Sequence, residues 1–177
     1  LWALVTALRV GRDFQADGVG LYRFDPAADT WECLTPGRFL WPKDFMADPA
    51  DSRVIDLGVA DAGPRHEGGL YRTEDGGRTW RLLARKGPEH FGAYRDPRRP
   101  GWIYMTLTEG APESGLYLSR DRGATFDPVD SMPFANIQRV AFDPRDARRI
   151  YVTTFGAGVW RGTLTDPASE TGEKERR

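Results

Sequence analysis

The sequence predicts an all-β fold built from repeated, four-stranded antiparallel sheets. A phrase of glycine, leucine and tyrosine recurs at Gly20, Gly69 and Gly115, and a looser form begins at Gly158. The aromatic residues of successive phrases are separated by 49, 46 and 43 residues. Asp-Pro pairs follow a similar spacing and begin at Asp48, Asp96 and Asp143. Self-similarity at this period is typical of the blades of a β-propeller.

Each repeat contains short strands in a constant order, which we letter A to D from the inside of the ring outward. An Asp-Pro pair closes strand A, because proline has no N–H to donate to a strand ladder. A run of β-branched and aromatic residues forms strand B, the Gly-Leu-Tyr phrase forms strand C, and a segment headed by Trp or Phe forms strand D. Sustained helical periodicity is found in no window of the sequence.

The repeats divide the chain into a series of blades. We expect a partial blade with strands B to D at 1–34, complete blades at 35–84 and 85–130, a last blade without its outer strand at 131–164, and a disordered tail at 165–177. Strand B of the first repeat is expected over residues 1–8. This is a fragment of about three and a half blades, which begins without Met. We therefore expect the C-terminal half of a ring of six to eight blades, with the missing N-terminal blades as its partner.

Composition excludes several functional classes. The net charge is −1, with 25 basic and 26 acidic residues spread along the chain, which favours neither nucleic acid nor insertion into a membrane. The apolar N-terminal segment, 1–10, is too short to span a bilayer. The single cysteine, Cys33, excludes an internal disulfide and a cysteine-rich metal site. The two histidines lack the spacing of metal ligands and the Gly-Gly pairs do not lie between a strand and a helix, so neither a metal nor another cofactor is predicted.

A second motif occupies the turn after two of the Gly-Leu-Tyr strands. It reads Ser/Thr-x-Asp-x-Gly-x-Thr-Trp/Phe. Its residues are Thr73, Asp75, Gly77, Thr79 and Trp80 in one repeat, and Ser119, Asp121, Gly123, Thr125 and Phe126 in the next. The aspartate can accept hydrogen bonds from backbone N–H groups of the turn, and the glycine supplies a positive φ. The motif therefore predicts a clasped hairpin between strands C and D.

This motif resembles the Asp-box, or BNR repeat, of β-propellers in sialidases, xyloglucanase-type glycoside hydrolases, sortilin-like receptors and photosystem II assembly factors. The resemblance covers residues 1–164 as blades, and the first repeat keeps only Thr30 and Trp31 of the motif. It implies that Asp75 and Asp121 are structural turn residues on the face away from the ligand site. It also implies a secreted or periplasmic location. The Arg-Ile-Pro segment of sialidases does not occur here, and the phrasing is closer to the xyloglucanase type.

A ligand site is expected at the mouth of the central channel, which the B–C and D–A loops line. The candidates for this rim are Arg12, Asp13, Phe14, Arg38, Trp41, Arg65, His66, His90 and Phe91. Trp41, Phe91 and Phe39 could stack on sugar rings, or they could fill the gaps between blades. The carboxylates able to reach the mouth are Asp13, Asp17, Asp44 and Asp61, although catalytic residues cannot be chosen among them. The histidines could share a metal or acid–base role, but exposed loop positions are the expected alternative.

Two functions remain open from the sequence. The first is a carbohydrate-related propeller, either a glycoside hydrolase-like enzyme or a sugar-binding relative. The second is a non-catalytic platform that binds protein or peptide through the same rim, as in sortilin-like receptors or assembly factors. The fold alone does not decide between them.

Overall fold

The computed structural model describes residues 1–63, 68–108 and 112–164, with the backbone alone for Phe14. These residues form antiparallel β-sheets and contain no helix. The all-β prediction is therefore confirmed. The expected disordered tail, 165–177, lies outside the described residues, as do the rim candidates Arg65 and His66.

The first sheet has three strands in the order β1-β4-β5. They are β1 (Trp2–Val5), β4 (Gly20–Asp25) and β5 (Thr30–Cys33). A separate hairpin of β2 (Leu8–Val10) and β3 (Asp13–Gln15) lies between β1 and β4 in the chain. The expectation of one continuous strand over 1–8 is thus wrong. The ladder with β4 ends at Val5, and two residues later Ala7 is buried and its N–H donates to the Leu40 carbonyl at 3.4 Å.

The second and third sheets have four strands each, ordered as in the chain. The second comprises β6 (Pro42–Ala47), β7 (Ile55–Val59), β8 (Gly69–Thr73) and β9 (Arg81–Ala84). The third comprises β10 (His90–Arg95), β11 (Ile103–Leu107), β12 (Gly115–Ser119) and β13 (Asp127–Pro128). The fourth sheet comprises β14 (Ile137–Phe142), β15 (Arg149–Thr154) and β16 (Val159–Thr163). The Gly-Leu-Tyr phrases form the third strand of both four-stranded sheets, as predicted.

Apolar side chains between successive sheets form the core. One cluster joins the first and second sheets, a second joins the second and third, and a third joins the third and fourth. Strands β7 and β11 are buried at every residue, because each has a neighbouring strand on both sides and packed side chains on both faces. Strand β10 contacts both β6 and β14, so the first strands of three consecutive sheets lie side by side.

A buried ion-pair network links the second sheet to the third. The Asp56 carboxylate is fully buried on β7 and accepts from Arg72 Nε at 2.6 Å. Arg95 of β10 places its Nη2 2.8 Å from the same carboxylate, as an ion pair rather than an aligned hydrogen bond. Arg72 Nη1 also donates to the Arg122 carbonyl at 2.6 Å in the turn of the next sheet. A buried carboxylate needs such partners, because its desolvation is otherwise unfavourable.

The turns after β8 and β12 are closed by their own side chains. The Thr73 hydroxyl donates to Asp75 and accepts from the Gly77 N–H, both at 2.8 Å. The backbone N–H and hydroxyl of Thr79 donate to the Asp75 carboxylate at 2.9 and 2.6 Å. The same contacts recur at Ser119, Asp121, Gly123 and Thr125. Gly77 and Gly123 have φ of 100° and 91°, a region that favours glycine.

Each clasped turn also packs on the preceding sheet. The indole N–H of Trp80 donates to the Leu34 carbonyl at 3.2 Å, at the end of β5. A Cβ atom at Gly77 would lie only 2.7 Å from Leu34 Cβ, and one at Gly123 would lie 3.2 Å from Leu83 Cδ1. The glycines thus serve both the turn and the close approach of neighbouring sheets.

We predict that Gly77→Ala destabilises the protein by more than Gly37→Ala. Both glycines have positive φ, but no atom lies within 4 Å of the Cβ position at Gly37. The control should lose about 1 kcal/mol from backbone strain, whereas Gly77→Ala should lose roughly 2–3 kcal/mol because it also separates two sheets. Urea unfolding measures both values, and equal losses would show that the close contact has no energetic weight.

We also predict a loss of stability in acid that depends on the clasps. Hydrogen bonds from Thr79 and Thr125 hold the pKa values of Asp75 and Asp121 well below the ordinary value of 3.8. Because the folded pKa is lowered, this stabilisation is complete above about pH 4 and is lost as the pH falls further. Asp75→Asn should therefore flatten the decline of unfolding free energy below about pH 4. Asp130→Asn removes the same charge from an exposed residue outside the two clasped turns and is the control.

Candidate functional site

A set of side chains converges where the first strands of three sheets begin. Each of β6, β10 and β14 has a register shift at its second residue, which leaves Lys43, Phe91 and Gln138 outside the ladder. Such bulges re-aim side chains and are frequent next to functional sites. We call the resulting group the inner rim and define it as Trp41, Lys43, Asp44, Glu89, Phe91, Tyr94 and Arg139.

The Asp44 carboxylate is the centre of the inner rim. Arg139 Nε donates to Asp44 Oδ2 at 2.7 Å, and the Tyr94 hydroxyl lies 2.8 Å from the same oxygen. These residues belong to β6, β14 and β10, so one carboxylate joins the first strands of three sheets. The side chain of Asp44 is 17% exposed, whereas that of Arg139 is 59% exposed. The guanidinium therefore presents a fixed cation to solvent.

Hydrogen bonds beneath this ion pair hold it in place. The Tyr94 hydroxyl also lies 3.0 Å from the Gln138 carbonyl, which accepts from the Thr106 hydroxyl at 2.7 Å. Burial, followed by the negative charge of Asp44, raises the pKa of Tyr94, so the phenol stays a neutral donor. The hydrogen bond to Asp44 raises the pKa of Arg139.

Gly92 makes room for this arrangement. A Cβ atom at this position would lie 2.6 Å from the Tyr94 hydroxyl and 3.3 Å from Asp44 Cβ. Any larger residue would displace the phenol from the carboxylate. The glycine is therefore required for the close approach of side chains rather than for a turn.

Aromatic rings flank the charged groups on two sides. The guanidinium of Arg139 lies 5.6 Å from the centre of the Phe91 ring, and Lys43 Nζ lies 4.4 Å from that of Trp41. Lys43 also pairs with the buried Glu89 carboxylate at 2.6 Å. Both cations of the inner rim thus combine a carboxylate partner with an aromatic face, an arrangement that orients them firmly.

His90 is buried instead of exposed. It is the first residue of β10, and its Nε2 accepts from the Lys86 N–H at 3.1 Å. Burial and, to a smaller extent, the positive charge of Arg85 lower the pKa of His90 to about 4. The expectation of an exposed loop histidine is therefore wrong for His90. Within the described ranges, no group of three His, Cys, Asp or Glu side chains could hold a metal ion.

The remaining rim candidates lie elsewhere. Arg38 donates to the Trp80 carbonyl at 2.8 Å, against the outer part of the second sheet. Phe39 is buried with its ring centre 4.6 Å from that of Tyr71, so it fills the gap between sheets and cannot stack on a ligand. Arg12 and Asp13 are exposed on the β2–β3 hairpin, and the backbone of Phe14 belongs to β3. The structure thus places Trp41, Phe91 and Asp44 in the inner rim, with His90 buried beside Phe91.

Several inner-rim residues were not among the rim candidates from the sequence. They are Lys43, Tyr94 and Arg139, which lie within strands instead of loops. The Asp-Pro spacing offers a signal for one pair, because Asp44 and Arg139 each precede an Asp-Pro pair by four residues. Equivalent positions in successive repeats lie at the same height on β6, β10 and β14, and the position between Asp44 and Arg139 is Gly92. Opposite charges at those positions therefore indicate an ion pair across the array.

The fold is similar to that of solved GH74 structures. They are an ancestral GH74 enzyme (TM-score 0.62, 16% identity, covering 87% of this chain and 22% of that one), the GH74 xyloglucanase from Xanthomonas campestris (0.61, 22%, 85% and 27%) and the GH74 enzyme from Niastella koreensis (0.51, 16%, 88% and 34%). At these identities the likeness establishes the fold. The chain therefore has the fold of part of a β-propeller of the kind found in these GH74 structures, of which it spans between about a fifth and a third.

A comparison of amino-acid sequences also finds a xyloglucanase, over a shorter part of the chain. A probable oligoxyloglucan-reducing end-specific xyloglucanase of Neosartorya fischeri is 29% identical over 100 residues, which cover 51% of this chain and 12% of that protein. The match thus spans about an eighth of the relative's length. No protein-family model matches the sequence. Among the described residues, the structure has no helix long and apolar enough to cross a membrane.

We predict that His90 makes stability depend on pH between 4 and 6.5. Because the folded pKa is lowered to about 4, the unfolded chain binds more protons in this window. The stability that the neutral form of His90 provides is therefore complete above pH 6.5. The free energy of unfolding then declines by about 3 kcal/mol in total as the pH falls towards 4. His90→Gln, which can still accept from Lys86, should remove most of this decline in urea unfolding. An unchanged decline in the variant would assign the effect to other groups.

Proposed function

We propose that this chain is part of an Asp-box β-propeller that binds a carbohydrate at its inner rim. The blades are residues 1–34, 35–84, 85–130 and 131–164. The two clasped turns support the Asp-box assignment, because the same side chains make the same hydrogen bonds in both. The xyloglucanases among its relatives make a neutral, glucan-type oligosaccharide the first ligand class to consider.

The observation that carries the proposal is the composition and rigidity of the inner rim. Sugars present apolar C–H faces and rings of hydroxyl groups, so their sites combine aromatic surfaces with fixed polar groups. Trp41 and Phe91 are partly exposed aromatics beside the oriented ion pairs of Lys43 and Arg139. Each charge already has a partner within the chain, so the surface offers hydrogen bonds without a strong net field.

The position of the inner rim fits this role. Asp44 is paired with Gly58, and Gly58 with Leu70, so the inner rim lies at the start of β8. The clasp begins at Thr73, at the opposite end of the same strand. In this proposal the clasps hold one side of the blades, and the ligand binds at the other.

We propose binding and not hydrolysis for this segment. Hydrolysis of a glycosidic bond requires two carboxyl groups in complementary roles, one as acid and one as base or nucleophile. Asp44 and Glu89 are each engaged by a cation of the chain at 2.7 and 2.6 Å. Their geometry therefore suits orientation of the inner rim.

Calorimetric titration with xyloglucan oligosaccharides tests the proposal. We expect saturable binding to the 177-residue chain, and Trp41→Ala should weaken it by about tenfold or more through loss of the stacking surface. Trp160→Ala is the matched control, because Trp160 is a 44% exposed tryptophan on β16 that does not belong to the inner rim.

Two outcomes would contradict carbohydrate binding at the inner rim. One is no heat of binding for any neutral oligosaccharide while the chain remains folded. The other is an equal loss in Trp41→Ala and Trp160→Ala. Binding of peptides through the same residues would instead support an interaction platform.

A further inference from the structure

The turns at the clasp end of the third and fourth sheets carry an excess of arginine residues. We call them the basic turns; they are residues 96–101, 120–125 and 143–149. Together they contain seven arginines and four aspartates. The corresponding turns of the first and second sheets contain two arginines and six acidic residues; they are residues 25–30, 48–53 and 74–79. Charge is therefore distributed unequally at this end of the array.

Hydrogen bonds join the basic turns into one continuous surface. The backbone N–H of Arg122 donates to the Gly101 carbonyl at 2.9 Å, which links the two turns of the third sheet. Arg98 Nη2 donates to the Asp143 carbonyl at 2.8 Å, which links the third sheet to the fourth. The positions of the arginines relative to one another are therefore set by the packing of the sheets.

Three of the four aspartates in the basic turns are bonded to their own turns. Asp96 and Asp143 are buried, and their carboxylates accept from the backbone N–H groups of Arg98 at 2.9 Å and Arg145 at 2.8 Å. Asp121 accepts the hydrogen bonds of its clasp. These carboxylates are thus directed towards the chain itself.

The arginines, in contrast, extend into solvent. The exposed ones are Arg98, Arg120, Arg122, Arg145 and Arg148. The side chain of Arg148 is 71% exposed, and its ion pair with Asp146 is long, at 3.9 Å. The surface therefore presents guanidinium groups, whereas most of its carboxylates face inward.

The fold does not require arginine at these positions. The sequence Asp-Pro-Arg at 96–98 and 143–145 corresponds to Asp-Pro-Ala at 25–27 and 48–50. The N–H groups of Ala27 and Ala50 donate to the aspartates of their turns, both at 2.9 Å. Alanine thus closes the turn as well as arginine does, so turn closure does not explain the arginines on two adjacent sheets.

We propose that the basic turns form a docking surface for a short acidic segment of a partner protein, rich in aspartate and glutamate. Guanidinium groups bind carboxylates through two parallel hydrogen bonds, so a row of arginines matches such a segment in charge and in geometry. The segment is short because the neighbouring turns of the first and second sheets are acidic and repel a long polyanion such as a nucleic acid or an anionic membrane. The surface lies at the clasp end, opposite the inner rim, so the proposal does not depend on carbohydrate binding.

A peptide titration tests the surface. The probe is a fluorescein-labelled octaglutamate peptide, titrated with the 177-residue chain and followed by anisotropy. We expect saturable binding that weakens as the salt concentration rises, and no binding of an octaglutamine peptide. The double variant Arg98→Ala, Arg145→Ala should bind the octaglutamate peptide about tenfold more weakly, because it lacks two of the exposed cations. It reproduces the Asp-Pro-Ala turns already present in the chain, so it should remain folded.

A second double variant is the matched control. Arg53→Ala with Arg78→Ala removes the same charge from exposed arginines of the corresponding turns on the second sheet. It should change the affinity by no more than about twofold, since these residues lie outside the basic turns. Urea unfolding of both double variants shows whether the sheets are intact.

Four results would overturn the proposal. They are absence of saturable binding, an equal loss of affinity in the two double variants, tighter binding of a single-stranded oligonucleotide or of anionic vesicles than of the peptide, and salt-sensitive self-association of the chain that the peptide does not displace.

Discussion

The constraint on which the structure depends is that its sheets are apolar on both faces. Strands β7 and β11 have no exposed residue, although each belongs to a sheet only four strands wide. Such a sheet cannot be stable alone, because one face would remain in water. Every sheet therefore requires a neighbour on each side, and the fold grows as an array with nearest-neighbour contacts. The exposed Trp31 and Val159 lie in the first and last sheets, on faces where this requirement is unmet in the described chain.

The stacking explains why the turns are so tightly specified. A turn that only reverses the chain tolerates many sequences, whereas these turns also contact the preceding sheet. The turn requires glycine where it faces Leu34 or Leu83, because a Cβ atom there would lie too close to the leucine. The aromatic ring that follows the turn must then fill the adjacent space. Local hydrogen bonds to the carboxylates of Asp75 and Asp121 hold the glycine and the ring in the correct relative position. The clasp is therefore a device for spacing the sheets as well as for closing a hairpin.

The inner rim follows from the same arrangement. Because the first strands of three sheets lie side by side, equivalent positions in the repeats become neighbours in space. Asp44, Gly92 and Arg139 hold one such position, where Asp44 supplies an acceptor, Arg139 a donor, and the missing side chain of Gly92 the space between them. A regular scaffold thus acquires an asymmetric ion pair by varying a single position of its repeat. The Asp56 network shows the same principle deeper in the interface, where Arg72 and Arg95 meet one carboxylate from two sheets.

Local and periodic features could be predicted from the sequence. Local features depend on residues close together in the chain, and periodic features recur at a spacing that the sequence shows directly. The phrase spacing and the strand composition determined the all-β class and the position of the Gly-Leu-Tyr strands. The hydrogen bonds of each clasp join residues at most four positions apart, so the motif alone is enough to predict them. The burial of His90 and the ion pair between Asp44 and Arg139, which are 95 residues apart, were decided by tertiary structure alone. The reason is physical: hydrogen bonds within a turn need only the turn, whereas a pair on non-adjacent sheets exists only after the sheets have stacked.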